Sequence, residues 1–530
     1  MASPRAGVPR PPPTGTLLIR DISHLATQND ELGEISDAAI FIRGNVIEWV
    51  GKMADLPPEL STSADRVIDG KGHVFLPGLV NTHAHMFQAL NRCMAQDQLL
   101  YGWLKTLYPV WAQHTASSVF VSTVVSMSEL LLSGCTTSSD HLYMYPHDVK
   151  LDDTIRAARA LGLRFHPVRG GMSAGVSRGG IAPDSVVEDE GAILEDMERC
   201  ITEFHDNSRL SMLRLALGPA SQKTVTNELM ISAARLARRH PGVRLHTHLA
   251  ENQEDIEYTE RLYGYRFGSY ISAVEWDKCD CWFAHCVKLN ESERALFSER
   301  GIGVAHCPSS NTRLASGIAP VRAMLDQGVN VGLGVDGACS SDAQSLLAEA
   351  RLALLLQRAG GDPKGLGVRE ALRMATRGGA TNLGRQGELG QIAPGFGADV
   401  VGFKFQGKLA FAGTVADPVA ALLLCAPDSG PVHWSIIDGH VVVREGVLLA
   451  ADGNRWARET VAAAAAAEVV VEGGEGGAAA AAAEVEKVEG GGEAEGREEV
   501  PLDLAALLAA AERHSRALVA GVSEAALGRR

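Results

Sequence analysis

Between residues 78 and 336 the chain alternates short, β-branched apolar runs with longer amphipathic stretches, and this alternation limits the fold more than any other feature. Eight strands are predicted, at 78–83, 135–141, 163–168, 213–217, 243–248, 281–286, 303–307 and 329–336. Helical periodicity separates most of them, as at 152–160, 227–239, 291–300 and 343–357. Strands joined through helices lie parallel and are covered on both faces. Eight such units in succession predict an α/β fold, a (β/α)8 TIM barrel, with an open doubly wound sheet as the competing arrangement.

A chain of 530 residues holds more than one barrel needs, so a second, smaller domain is expected. Short strands joined by Gly44-Asn45 and Asp69-Gly70 turns precede the barrel, and strands at 387–392, 399–403, 434–437 and 440–444 follow it. These two sets predict a small β-sandwich domain built from both ends of the chain. The expected boundaries are a disordered tail over 1–15, the sandwich in two parts over 16–75 and 387–458, and the barrel over 76–386. A low-complexity Ala/Gly/Glu insert over 459–500 and a C-terminal helix over 501–530 complete the chain. In that helix Asp503 is the predicted cap, and Leu504, Leu507, Leu508 and Ala511 form the predicted docking stripe.

Charge and cysteine usage narrow the function class. Of the formal net charge of −15, −9 falls between Glu459 and Glu499, leaving a mildly acidic folded body that does not suit nucleic acid. No apolar run approaches the roughly 18–20 residues that span a bilayer. The nine cysteines show no regular spacing, which fits a reducing, cytoplasmic setting without a disulfide framework. The proline-rich Met1–Gly15 stretch lacks the apolar core of a secretory signal, and its two arginines leave organelle targeting open.

Chemistry concentrates where the strands end. His83 and His85 close the first strand, His248 the fifth, His285 the sixth and Asp336 the eighth. Barrel enzymes gather their reacting groups at the C-terminal strand ends, so these residues can converge there. Three imidazoles and one carboxylate, His83, His85, His248 and Asp336, make a borderline ligand set for one divalent metal ion, Zn2+ foremost, with Fe2+ or Mn2+ as alternatives. Glu251 follows His248 by three residues, placing its carboxyl beside the metal's water as general acid/base without being a ligand. His285 is placed to hydrogen-bond that water or the substrate. His246 and His306 read as core or supporting residues.

Three rival motifs fall away. Gly332-Leu333-Gly334-Val335-Asp336-Gly337 matches a dinucleotide fingerprint in form, yet no acidic residue ends a following strand at the required distance. Cys279-Asp280-Cys281 lacks the Pro-Cys-x-x-Cys spacing of the zinc nucleobase deaminases. A bridging lysine for two metals is missing from the fourth strand, where Arg214 is the sole cation and Lys223 lies beyond the strand.

With these motifs the chain resembles the amidohydrolase superfamily, and within it the mononuclear aminohydrolases. The stretches 101–109, 138–143, 183–190 and 354–358 resemble the group that contains 8-oxoguanine deaminases and hydroxydechloroatrazine ethylaminohydrolases. The resemblance implies His83, His85, His248 and Asp336 as ligands, Glu251 as proton shuttle and His285 as the polarising group. It implies that Gln88 meets the amide edge of a purine, and Trp103, Tyr108 and Tyr143 are candidate pocket walls. It further implies hydrolytic deamination of a purine-like heterocycle of the 8-oxoguanine or guanine type, as in purine catabolism. A triazine aminohydrolase or chlorohydrolase is the alternative, and a non-catalytic scaffold a more distant one. A homo-oligomer and a small-molecule partner are expected. The sequence departs from the group at 218–222, at the end of the fourth strand, and at the Ala/Gly insert.

Overall fold

The computed structural model describes residues 12–425, 430–451, 500–520 and 522; most of the predicted tail and nearly all of the predicted insert lie outside the described residues. Eight strands close a barrel: β1 (Leu79–Asn81), β2 (Cys135–Leu142), β3 (Arg164–Gly171), β4 (Ala216–Pro219), β5 (Arg244–Leu249), β6 (Cys281–His285), β7 (Gly303–His306) and β8 (Val331–Leu333). They pair in chain order, all parallel, and β8 returns to β1 through Leu333 and Asn81. Val80, Val168, Ala216, Trp282, Ala305 and Leu383 pack together inside the barrel as an apolar plug. The helices that follow the strands carry local caps, such as the Asn252–Asp255 box before Gln253–Tyr263 and the Asn290–Glu293 box before Glu291–Arg300.

Two strands are shorter than their sequence pattern suggests, and the reason bears on function. The run at 78–83 stops as a barrel strand at Asn81, and that at 329–336 stops at Leu333. Beyond the breaks, Ala84–His85 pairs with Asp336–Gly337 as a separate two-stranded ribbon. Asn81 Oδ1 accepts the Val335 N–H at 3.0 Å, and Thr82 N–H bonds to the Leu333 carbonyl at 2.9 Å, so side chain and backbone stitch across the gap. Gly334 sits in that gap, where a Cβ would lie 2.7 Å from His83 Cβ and 2.9 Å from Cys307 Sγ. The glycines of the apparent dinucleotide fingerprint serve close packing between strand ends. The fourth strand is also displaced from 213–217 to Ala216–Pro219, because Arg214 turns its guanidinium toward Glu388 and the Ser208 carbonyl.

The ends of the chain meet in a second, nine-stranded sheet. Its junction is the antiparallel pair His73–Pro77 and Val400–Lys404, which joins N-terminal strands to C-terminal ones. Leu17, Ile40, Ile47, Phe75, Val400 and Ile436 belong to a core separate from the barrel's. Fully buried Arg164, on β3, ties the two bodies together by bonding Asp399 through both Nε and Nη2 at 2.9 Å and Asp438 through Nη2 at 3.2 Å. The expected strand at 387–392 is instead a turn. Gly390 adopts φ +83°, and the Glu388 carboxylate is held by Arg214, Arg385 and the Leu210 N–H.

The C-terminal helix spans Leu504–Ala520 and packs beside helix Ala116–Leu132, with the Ala506 N–H capped by Asp503 Oδ1 at 3.0 Å. Its buried residues are Leu507, Ala510 and Leu518, whereas Leu504 and Leu508 face solvent, so the docking stripe is rotated from the predicted one. Ser515 Oγ donates to the Leu90 carbonyl at 2.7 Å, which sets this helix against the turn after His85. Leu449 and Pro501 form an antiparallel bridge, so the chain leaves and re-enters the described fold at one place. No described helix is long and apolar enough to cross a membrane.

Candidate metal centre and active site

The strand breaks bring four side chains face to face. His83 Nε2 and His85 Nε2 lie 3.3 Å and 3.4 Å from Asp336 Oδ1, and His85 Nε2 lies 3.0 Å from His248 Nε2. Residues 83 and 85 sit on one side of the broken β1, with ring centroids 4.7 Å apart. Ala250, His285 and Asp336 all adopt left-handed backbone, with φ of 54°, 71° and 58°. Non-glycine residues there cost about 1–3 kcal/mol each and persist where surrounding packing overdetermines them. Here that strain turns the strand ends inward to one point.

Every imidazole is anchored from behind. His85 Nδ1 lies 2.8 Å from the His141 carbonyl and His248 Nδ1 2.6 Å from the Ala220 carbonyl. A carbonyl only accepts, so both Nδ1 atoms carry the proton and both Nε2 atoms present lone pairs. Two lone pairs facing each other at 3.0 Å repel unless a cation lies between them. His83 Nε2 is likewise buried without a hydrogen-bond partner. This donor set fits a divalent cation, and His83, His248 and His285 form one of the triads whose ligand atoms all lie within 4.8 Å of one another. Behind His83, its Nδ1 lies 2.7 Å from His246 Nε2, and His246 Nδ1 lies 2.9 Å from the Trp282 carbonyl. Such a relay orients the ring and raises its basicity.

Burial sets the charge states. It pushes the His83 imidazole down to about 4 and holds His85 well below its ordinary value, so both are neutral near pH 7. Burial opposes ionisation of Asp336 too, but the side-chain contact with His83 and the neighbouring His285 hold that carboxyl well below its usual range. Glu251 is the opposite case: burial, aided by the nearby Asp255 carboxylate, pushes it up to about 8. One carboxyl is thus ionised and another protonated in the same site at neutral pH, a division of acid and base roles. His285 Nε2 lies 3.8 Å from Glu251 Oε2 and 3.9 Å from Asp336 Oδ2, while its Nδ1 is held by Asn311 Oδ1 at 2.9 Å.

A cavity opens over these groups. Gln88, Trp103, Tyr108 and Tyr143 all line it. Both amide atoms of Gln88 are buried and unpaired, available to a ligand. Trp103 Nε1 is committed to the Cys339 carbonyl at 3.2 Å, so that ring contributes an apolar wall. Tyr143 meets the His85 ring edge-on at 5.0 Å. Ala220, Ser221 and Gln222, from the 218–222 segment, line it as well. His306 is buried within its strand and does not line this cavity. Sequence reasoning missed His141, Asn311 and the Lys223–Asp255 ion pair beside Glu251. The Asn252–Asp255 capping box was a readable signal for the last of these; Asn311 had none.

An aspartate held ionised and a glutamate held protonated beside a cluster of inward-facing imidazoles, at the C-terminal ends of barrel strands, is the arrangement of barrel hydrolases that depend on a metal. Comparison with known proteins narrows that class. A model of the amidohydrolase family matches residues 74–442. The chain is 43% identical over 417 residues to the 8-oxoguanine deaminase of Pseudomonas aeruginosa, covering 77% of this chain and 90% of that one. It is 36% identical over 433 residues to the hydroxydechloroatrazine ethylaminohydrolase of Pseudomonas sp. strain ADP, covering 78% and 88%. The crystal structure of an atrazine chlorohydrolase from Arthrobacter aurescens TC1 complexed with zinc superposes with a TM-score of 0.76 at 33% identity, covering 81% and 96%. The protein belongs to the amidohydrolase family. It is accordingly a hydrolase acting on carbon–nitrogen bonds other than peptide bonds, as its deaminase and aminohydrolase relatives are named.

Proposed function

We propose that the protein deaminates a purine-like heterocycle of the 8-oxoguanine or guanine type, releasing ammonia, with one zinc ion held by His83, His85, His248 and Asp336. The observation that carries this reading is the convergence of the four ligand atoms beneath a cavity walled by aromatic rings and by the unpaired Gln88 amide. A planar, polar-edged ring suits such walls, with the amide pairing one edge of the heterocycle. A divalent cation held there would supply Lewis acidity and would bring the pKa of water down to about 7. Asp336, held ionised, takes a proton from the attacking water. His285, its Nδ1–H held by Asn311 Oδ1, presents Nε2 to the attacking water and orients it. Glu251 delivers its proton to the ring nitrogen, then takes the proton of the added hydroxyl and passes it to the departing amino group; the proton on Asp336 returns to Glu251 when ammonia leaves. The carbon–nitrogen bond breaks, ammonia leaves, and the ring keeps the water's oxygen as a carbonyl.

A second reading, removal of an alkylamine or chloride from a triazine, is supported by the named activities of the triazine-acting relatives. The test is ammonia release by zinc-loaded protein from guanine, 8-oxoguanine, isocytosine and cytosine, with hydroxytriazines assayed for amine release alongside. Highest kcat/KM on an oxopurine is the expected result. Turnover of triazines alone moves the assignment to the second reading, and protein that neither retains zinc nor turns over any of them overturns both.

A further inference from the structure

We propose that Lys223 is a positioning residue for Glu251, acting through Asp255. Lys223 lies in the loop after β4, and Asp255 in the first turn of the helix that follows β5, so the contact joins that loop to the start of the helix, and both residues line the cavity. The Lys223 ammonium pairs with Asp255 Oδ1 and sits 4.1 Å above the centre of the Tyr101 ring. Lys223, Asp255 and Glu251 are each only 6% exposed. The other Asp255 oxygen, Oδ2, accepts the N–H of Glu251 at 2.8 Å and that of Asn252 at 3.0 Å. An unbroken path therefore runs from the Lys223 cation through one carboxylate to the backbone of the proton carrier.

The capping box alone does not account for the lysine. Asn252 Oδ1 receives the Asp255 N–H at 3.0 Å, and that reciprocal pair starts the helix without any cation. What the lysine changes is the cost of burying the Asp255 charge next to a second acidic side chain. A buried carboxylate without a counter-ion protonates or turns toward water, and either outcome weakens its charge-assisted bonds to the two amides. The stretch is already strained, since Ala250 is left-handed and its carbonyl is fixed by the Lys288 N–H at 2.9 Å. Release of the Glu251 amide lets its side chain swing from the reacting atoms, and a displacement of about 1 Å costs on the order of 10²-fold in rate.

The turnover arm rests on the hydrolytic reading above; an amide-exchange arm does not. Lys223→Met, Lys223→Arg and the double variant Lys223→Met with Asp255→Asn are compared with zinc-loaded wild type. Lys223→Met is expected to lower kcat by about 10²-fold, with KM and zinc content unchanged. In hydrogen–deuterium exchange, the peptide covering residues 249–256 is expected to exchange faster in that variant. The arginine variant and the neutral double variant are expected to recover most of both. Wild-type kcat and exchange in Lys223→Met would overturn the proposal. So would a raised KM at unchanged kcat, which would make Lys223 a substrate contact, or a double variant no better than the single one. If wild type turns over no heterocycle, the deaminase reading fails while the exchange arm still decides this one.

Discussion

Replacing Glu251 by glutamine separates the proton carrier from the metal ligands with little change in shape. The side chain is buried, with His285 Nε2 3.8 Å from its Oε2, so the amide fits the same space. With burial pushing the carboxyl up to about 8, the protonated form, which serves as acid, predominates at pH 7. An amide cannot cycle between donor and acceptor of a proton, and loss of positioned acid–base catalysis costs about 10²–10⁴-fold, equivalent to roughly 3–5 kcal/mol of barrier. The variant is expected to show that fall in kcat for ammonia release while elemental analysis finds the wild-type zinc content. Any limb near pH 8 in the wild-type pH–rate profile should vanish from the residual activity. Stability supplies an independent sign. The folded pKa lies above the unfolded value of 4.5, so the native state binds the extra proton between the two, and wild type loses stability as pH rises from 4.5 to about 8. Metal-free variant protein should be the more stable of the two above neutral pH, by a few kcal/mol on the scale of about 1.4 kcal/mol per pH unit. A variant with activity near wild type, or one that loses zinc, refutes the role given to Glu251.

Three further perturbations test separate layers of the structure. His246→Phe keeps the ring that stacks on Trp282 but orphans the Nδ1 proton of His83, so zinc affinity measured against a competing chelator should weaken by about 10–100-fold. Arg164→Leu strands two buried carboxylates, Asp399 and Asp438, between barrel and β-sheet, and should cost about 3–5 kcal/mol in urea unfolding at unchanged zinc content. Burial pushes His114 down to about 3, far below its unfolded value of 6.5, so its contribution is intact above pH 6.5 and lost as pH falls toward 3. His114→Asn should accordingly flatten the pH dependence of unfolding near pH 5 by up to about 1.4 kcal/mol per pH unit; an unchanged slope would show that this histidine titrates normally.

Much of the architecture is legible in local pattern. Strand runs such as 135–141 and 281–286, and capped helices such as Glu291–Arg300, follow from residue periodicity and cap chemistry, which act within a few residues. The same locality exposes His83, His85, His248, His285 and Asp336, because each terminates an apolar run. Where the pattern misleads, a distant partner is responsible. Arg214 leaves the fourth strand to reach Glu388, 174 residues away, and the turn at 387–392 forms because that glutamate is already engaged.

The chain alone thus determined the barrel class, the flanking β-domain and the side chains capable of holding a cation, since periodicity and side-chain chemistry are properties of short segments. Tertiary structure decided which nitrogen of each imidazole faces inward, and that Glu251 is protonated while Asp336 is ionised. It also decided that β1 and β8 break to pair Ala84 with Asp336. Those outcomes depend on carbonyls, charges and low-dielectric walls contributed from far along the chain, such as His246 behind His83 at a separation of 163 residues. A segment read in isolation carries no record of its solvent, and it is the exclusion of water by remote neighbours that turns these residues into acid, base and ligand.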